Sequence, residues 1–396
     1  MKLRQPDIEA PRLNQKEIGW QRYKFTLLTP LYGGGMVAGE PDKEMPVRAA
    51  SIRGQLRFWW RLLNRKKYPG SKKLFEAERK IWGGLGDGGN GYASQVHVRI
   101  REHHRIKPSI IEADVSKANK LPRYALVPLL GNGRSQLLQN LEFTLEIACP
   151  DTLQKEIKDV LRWWMTFGGL GGRTRRGFGS VTSDELSPID EKEAQKAGCR
   201  LIIDRKSVST RAVHAWQETV TRLKWFRQEK GIGRNAPHPD SKSPAGRSRW
   251  PEPDSIREIT KSNAKQHPPE HEARPAFPRA AFGLPIIFHF IGRGEPEDTT
   301  LKPKAHERLA SPLILTAYKL ESGQFAPAAL RLPTDHLKDL SLELTWEEGS
   351  REVSRELWWP SDHNEACAKA KRIKPMQNRG CDALEAFLDF FAKGGK

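Results

Sequence analysis

From Trp20 to Leu28 the chain alternates, with Trp20, Arg22, Lys24 and Thr26 set against Gln21, Tyr23, Phe25 and Leu27, which predicts a strand with one buried face. Pro30 and the glycines at 33 to 35 end it. From Ile52 to about Leu63 the period changes to that of a helix capped by Ser51. Ile52, Leu56, Phe58, Trp59, Trp60, Leu62 and Leu63 share one broad arc with Gln55, and Arg53, Gly54, Arg57 and Arg61 fill the rest. No Glu stands at i,i+4 spacing on that helix to neutralise the arginines, so they are candidates for an external anion, whereas Trp59 and Trp60 belong to the core.

Further on, Gln95–Arg101, Tyr124–Leu130 and Leu141–Ala148 have strand character. After Pro150, Asp151 and Gln154 suggest a capping box, and Leu153, Ile157, Val160, Leu161, Trp164 and Phe167 form an apolar helical stripe. In the second half, Val208–Gln228 reads as a helix with Arg211, Arg222 and Arg227 outside. Ala280–Ile291 and Leu309–Leu320 read as strands, and Asp382–Phe391 as a closing helix. This order suits an α+β fold of two tandem ferredoxin-like (RRM-like) domains with long insertions, residues 1–195 and 196–396. From Gly231 to Pro278 the pattern lapses. Nine prolines among Ser, Arg, Lys and His predict a mobile insertion without a core of its own.

The stretch that neither helix nor sheet would choose is GGLGGRTRRGFGSV, residues 168–181. Six glycines alternate there with Arg173, Arg175 and Arg176, directly after the second strong helix. Glycine amides and guanidinium forks together suit phosphate oxygens, with a solvated turn as the plainer alternative. Known nucleotide motifs fail here. Gly172 and Gly177 have P-loop spacing, but Phe178 and Gly179 stand where Lys and Ser/Thr are required, and GxGxxG is broken by Thr174. The run Arg176 to Val181 approaches an RNP1 strand, yet it follows a helix and has Ser180 and Ser183 in aromatic positions.

What remains is Gly169-x-Gly171, five residues, then Gly177-x-Gly179, which resembles the glycine-rich loop of the RAMP superfamily, proteins of CRISPR RNA-guided effector complexes. Thr29-Pro-Leu-Tyr-Gly-Gly-Gly35, the run from Ser51 to Arg61, Gly283-Leu-Pro-Ile286 and Arg308-Leu-Ala-Ser-Pro-Leu313 resemble the branch that supplies the first RAMP subunit of type III-B (Cmr) complexes. The resemblance implies a non-catalytic subunit working in antiviral defence; no cofactor or metal is expected, and with no signal-peptide h-region after the basic N-terminus the cytoplasm is the default. The implied partners are the 3′ region of the guide RNA, single-stranded target RNA and other RAMP subunits. The implied RNA contacts are Arg53, Arg57, Arg61, Gly169, Gly171, Arg173, Arg175, Arg176, Gly177 and Gly179.

Composition sharpens this in one respect. Lys plus Arg exceed Asp plus Glu by 67 to 48 over 396 residues, a net charge of +19 that favours a polyanionic partner. Neither a signal peptide nor an apolar run of transmembrane length is expected, which argues against a membrane partner. The four cysteines form no CxxC pair and read as small buried hydrophobes or incidental thiols. His103 and His104 are the candidates for an alternative function, metal-independent RNA cleavage, and a protein scaffold without RNA contact is a third reading. His267 and His271 have ligand spacing but enclose Pro268 and Pro269, which argues against a helical metal pair.

Overall fold

The computed structural model describes residues 19–37, 39–85, 91–102, 109–114, 121–126, 134–237 and 246–395. The fold is mixed α+β, with several antiparallel sheets and helices. In the first half, β1 (Gln21–Leu27), α1 (Ala49–Asn64), β2 (His97–Glu102), β3 (Glu142–Ala148), α3 (Asp151–Phe167) and β4 (Val181–Thr182) build one sheet in the order β2-β3-β1-β4. A strand–helix–two strands–helix–strand sequence with that sheet order has the ferredoxin-like topology. α2 (Ser71–Trp82) is inserted after α1.

The alternating pattern dictates the packing. Phe25 faces Phe143 in register, with ring centroids 5.5 Å apart, and Trp164 of α3 meets Phe25 edge-on at 5.1 Å. Trp59 and Trp60 are buried. Trp60 donates to the Glu156 carboxylate, and Trp59 lies 5.6 Å from Trp163. Two expected caps differ. α1 begins two residues before Ser51, after Arg48, and Asp151 lies inside α3, bonded by the Gln154 amide rather than closing a capping box.

The second half repeats part of the plan. β5 (Arg200–Ile203), α4 (Ala212–Gln228), β6 (Leu313–Lys319), β7 (Phe325–Arg331) and a closing helix, α7 (Ala383–Ala392), surround a sheet ordered β5-β7-β6. This sheet serves two cores at once. Leu313, Leu315, Ala317 and Ala329 join the cluster formed by α4 and α7, while Ile314, Tyr318, Ala328 and Leu330 join the cluster of the first half. A period of two lets one sheet close both.

Three expectations are corrected here. Tyr124 was expected in a strand but lies in a short helix, Arg123–Leu126. Arg222 was expected outside, yet it is buried, bonded to Asp204 at 2.6 Å and to the Phe391 carbonyl. The region from Gly231 to Pro278 was expected to lack a core. Its described residues instead form the helix α5 (Glu252–Thr260) and bury Trp250, Ile256, Ala273, Ala276 and Phe277 in the second core. The cause is mutual satisfaction of its charges. Asp254 accepts from Arg247 at 2.9 Å and Arg257 at 2.8 Å, and fully buried Glu252 pairs with Arg279 at 3.1 Å.

Candidate nucleic-acid interface

The glycine loop leaves α3 through Gly168 and lies against the turn after β1. Gly172 donates to the Tyr32 carbonyl at 2.7 Å, Gly179 to Pro30 at 2.9 Å, and Leu170 to Gly179 at 2.8 Å. Thr29 donates its hydroxyl to the Gly177 carbonyl and accepts from the Ser180 amide. The glycines are explained by these approaches. A Cβ on Gly179 would lie 2.0 Å from the Leu170 carbonyl, on Gly171 2.4 Å from that of Tyr32, on Gly177 2.5 Å from the Trp216 ring and on Gly169 2.8 Å from the Gly179 carbonyl. The interior glycines therefore admit the chain itself. Only Gly171, together with Gly34 beside it, is exposed.

The three arginines of the loop divide in the same way. Arg176 reaches into the second half, its guanidinium donating to Ser311 Oγ and to the carbonyls of Leu313 and Phe282. Burial, with Arg227 nearby, pushes it down to about 10, so it remains a cation at neutral pH. Arg175 donates to the Ser311 carbonyl and lies over the Phe58 ring at 5.5 Å. Arg173 has a left-handed backbone, φ 55°, and a half-buried side chain. Burial pushes Arg173 and Arg175 down as well, and among the described residues no carboxylate pairs with any of the three.

Four distant motif segments thus converge on the loop. The Thr29–Gly35 turn carries it, and Gln55 of α1 donates to the Gly169 carbonyl at 2.6 Å while accepting from Trp164. The segment at 308–313 receives Arg175 and Arg176. The Gly283 segment pairs with it in turn, through reciprocal Leu284 and Leu309 amide bonds.

The arginine stripe of α1 is not part of this convergence. Gln55 and Phe58 face the loop, but Arg57 and Arg61 turn to α2 and share one carboxylate oxygen of fully buried Glu78, at 2.6 and 2.8 Å. Arg53 donates to the Trp82 carbonyl. The expectation of a stripe without counter-charge is therefore corrected, because the acid comes from the next helix rather than from i,i+4. One carboxylate for two guanidiniums still leaves a net positive face.

A second basic surface escaped the sequence reading. On the outer face of the first sheet Arg22, Arg99 and Arg101 surround Glu146, and Arg99 lies over the Trp20 ring at 3.9 Å. Burial alone would raise the Glu146 carboxyl, but the bond from Arg99 and the charge of Arg101 hold it below the ordinary range. The period-two placing of His97, Arg99 and Arg101 was the available signal. His103 and His104 lie outside the described residues. His267 contacts Glu295 and His271 the Arg249 carbonyl, so they do not converge. Trp358 and Trp359 are buried and donate to the carbonyls of Leu340 and Cys381.

Residues 24–182 match the family model of the RAMP superfamily. A crystal structure of Cmr1 from Pyrococcus furiosus in its apo form is similar at 16% sequence identity and a TM-score of 0.45, with 80% of this chain and 88% of that chain covered. No curated protein matches the chain. Among the described residues no helix is long and apolar enough to cross a membrane.

Proposed function

We propose that this chain is a non-catalytic RNA-binding subunit of a type III-B CRISPR effector complex, built from two ferredoxin-like units over residues 1–195 and 196–396. Its partners in this reading are guide RNA, target RNA and neighbouring RAMP subunits. The observation that carries it is the group of three loop guanidiniums without a carboxylate partner among the described residues, at the junction of the glycine loop with four other motif segments. Like charges held together in partial burial repel, and a phosphate oxygen relieves that cost. Arg173 is the prime contact, beside the exposed backbone of Gly171 and Gly34. Arg175 assists it, and Arg176 with Gly169, Gly177 and Gly179 shapes the loop. Arg53, Arg57 and Arg61 add a positive face on another side of α1.

The test is binding of the purified chain to single-stranded RNA across a salt series, in EDTA and in Mg²⁺, with the RNA then run on a denaturing gel. Arg173→Ala should weaken binding and lower the slope of log K against log salt by about 0.7 for each phosphate no longer neutralised. Arg176→Ala should act first on the melting temperature. A folded Arg173→Ala chain with unchanged affinity and slope removes the loop from the RNA path. RNA cut in EDTA, and spared when His103 and His104 are replaced, would favour the nuclease, and binding to protein partners alone would favour the scaffold.

A further inference from the structure

Cys367 and Cys381 stand 14 residues apart in the chain and are joined as a disulfide, with Cα atoms 4.3 Å apart. This corrects the expectation of four incidental thiols, which holds only for Cys149, half-buried, and Cys199, buried. Cys367 lies on α6 (His363–Ala370), and Cys381 directly precedes Asp382, the N-cap of α7. One turn before Cys367, His363 brings its Nε2 to 3.5 Å from the Cys367 sulfur. The ligand atoms of His363, Cys367 and Cys381 all lie within 4.8 Å of one another, the single such group among the described residues.

We infer that His363, Cys367 and Cys381, once the disulfide is reduced, form a binding site for a thiophilic divalent metal of the zinc class. Zinc takes imidazole nitrogen at about 2.0–2.1 Å and thiolate sulfur at about 2.3 Å in a tetrahedron. From those bond lengths the nitrogen–sulfur edge comes to roughly 3.5 Å. The His363 to Cys367 separation has that length before any metal is added. The i,i+4 spacing on α6 places both side chains on one face. Asp382 does not complete the set, because its carboxylate accepts from the amides of Leu384 and Glu385. No other described residue completes the set, and the fourth position is assigned to water or another ligand.

The two cross-links exclude each other, since each consumes the same sulfurs. Reduction by a dithiol transfers two electrons and two protons to the Cys367–Cys381 bond and turns the dithiol into its own disulfide. Each thiol then releases a proton as it binds the metal. Either link holds α6 to the start of α7. Residues 368–380 between the two cysteines carry Lys369, Lys371, Arg372, Lys374 and Arg379 and no acid, so a bound cation would sit at the base of a basic segment.

The whole chain, treated with a phosphine reductant and freed of it without oxygen, would be titrated with cobalt(II) and then zinc. One equivalent of cobalt should bind, with the visible absorption of a tetrahedral site and a thiolate charge-transfer band, and zinc should displace it. Cys381→Ser should abolish the charge-transfer band or halve it, and His363→Ala should lower cobalt affinity by at least about tenfold. A chain with both Cys149→Ser and Cys199→Ser should bind like the parent, and the unreduced chain should not bind. Melting curves without metal separate loss of the site from loss of the fold. Absence of thiolate bands in the reduced parent, or their full survival in a folded Cys381→Ser chain, would overturn the inference.

Discussion

The glycine loop at 168–180 and the segment at 231–278 have similar compositions, rich in arginine and in residues that break regular structure, but they are held in opposite ways. The loop is fixed by its backbone. Its amides and carbonyls meet those of Pro30, Tyr32 and Leu170, and Gly168, Gly169, Gly171, Gly177 and Gly179 leave no room for a Cβ. The proline-rich segment is fixed by side chains, with Glu252, Asp254 and Glu295 gathering Arg247, Arg257 and Arg279 over Trp250 and Ile256. The difference separates two meanings of polar sequence. Charges that find partners inside the chain build a core element, whereas the loop's guanidiniums have no carboxylate among the described residues, which is the ground for proposing that Arg173 meets an anion from outside.

The largest effect expected from this contrast is at Glu252, which is fully buried, pairs with Arg279 and accepts from the Arg279 amide at 2.8 Å. Glu252→Ala leaves a buried guanidinium without its counter-charge and should cost about 3–5 kcal/mol in urea unfolding. A variant as stable as the parent would mean that Trp250, Ile256 and Phe277 hold the segment unaided.

Next comes Gly179, whose φ of +66° and 2.0 Å approach to the Leu170 carbonyl forbid a side chain. Gly179→Ala should cost about 1–2 kcal/mol for the left-handed backbone and about 1–3 kcal/mol for the overpacking. Gly54, inside α1 with nothing within 4 Å of a Cβ, is the control. Gly54→Ala should stabilise by up to about 1 kcal/mol. If both substitutions behaved alike, the loop would not be backbone-locked.

How much of this was legible follows from where each signal lies. α1, α3, β1, β3 and α7 were readable because their apolar positions recur at one period within one element. The helix α5 was hidden by Pro251 and Pro253, which look like breakers. They occupy the N-cap and first turn, where a missing amide costs nothing. β7 was hidden by Pro327 and three alanines, yet it is the central strand of its sheet, and the Pro327 carbonyl accepts from the Asp204 amide. The glycine loop was found by composition, but the purpose of its glycines was not, since Leu170, Tyr32 and Trp216 become neighbours only after folding. Glu78 and the Cys367–Cys381 pair were missed for that reason too: each partner lies on a different element, beyond the reach of local spacing.

The smallest expected effect is acid sensitivity confined to one side of the comparison. Burial would raise the Asp254 carboxyl, but Arg247, with the amides of Glu270 and His271, outweighs burial and holds it below the ordinary range. Arg257 adds a further bond at 2.8 Å. A carboxylate depressed in the folded chain contributes stability that is fully present above its unfolded value, about 3.9, and is lost as pH falls through the lower folded value. Stability lost by Asp254→Asn should therefore be constant near neutrality and shrink as acid protonates the parent. The loop arginines stay charged throughout this window, so Arg176→Ala should show no such convergence with the parent. Urea midpoints of the three chains, followed from neutral pH through the carboxylate range, decide it. A gap between Asp254→Asn and parent that stays unchanged in acid would mean that the charge of Asp254 does not hold the proline-rich segment.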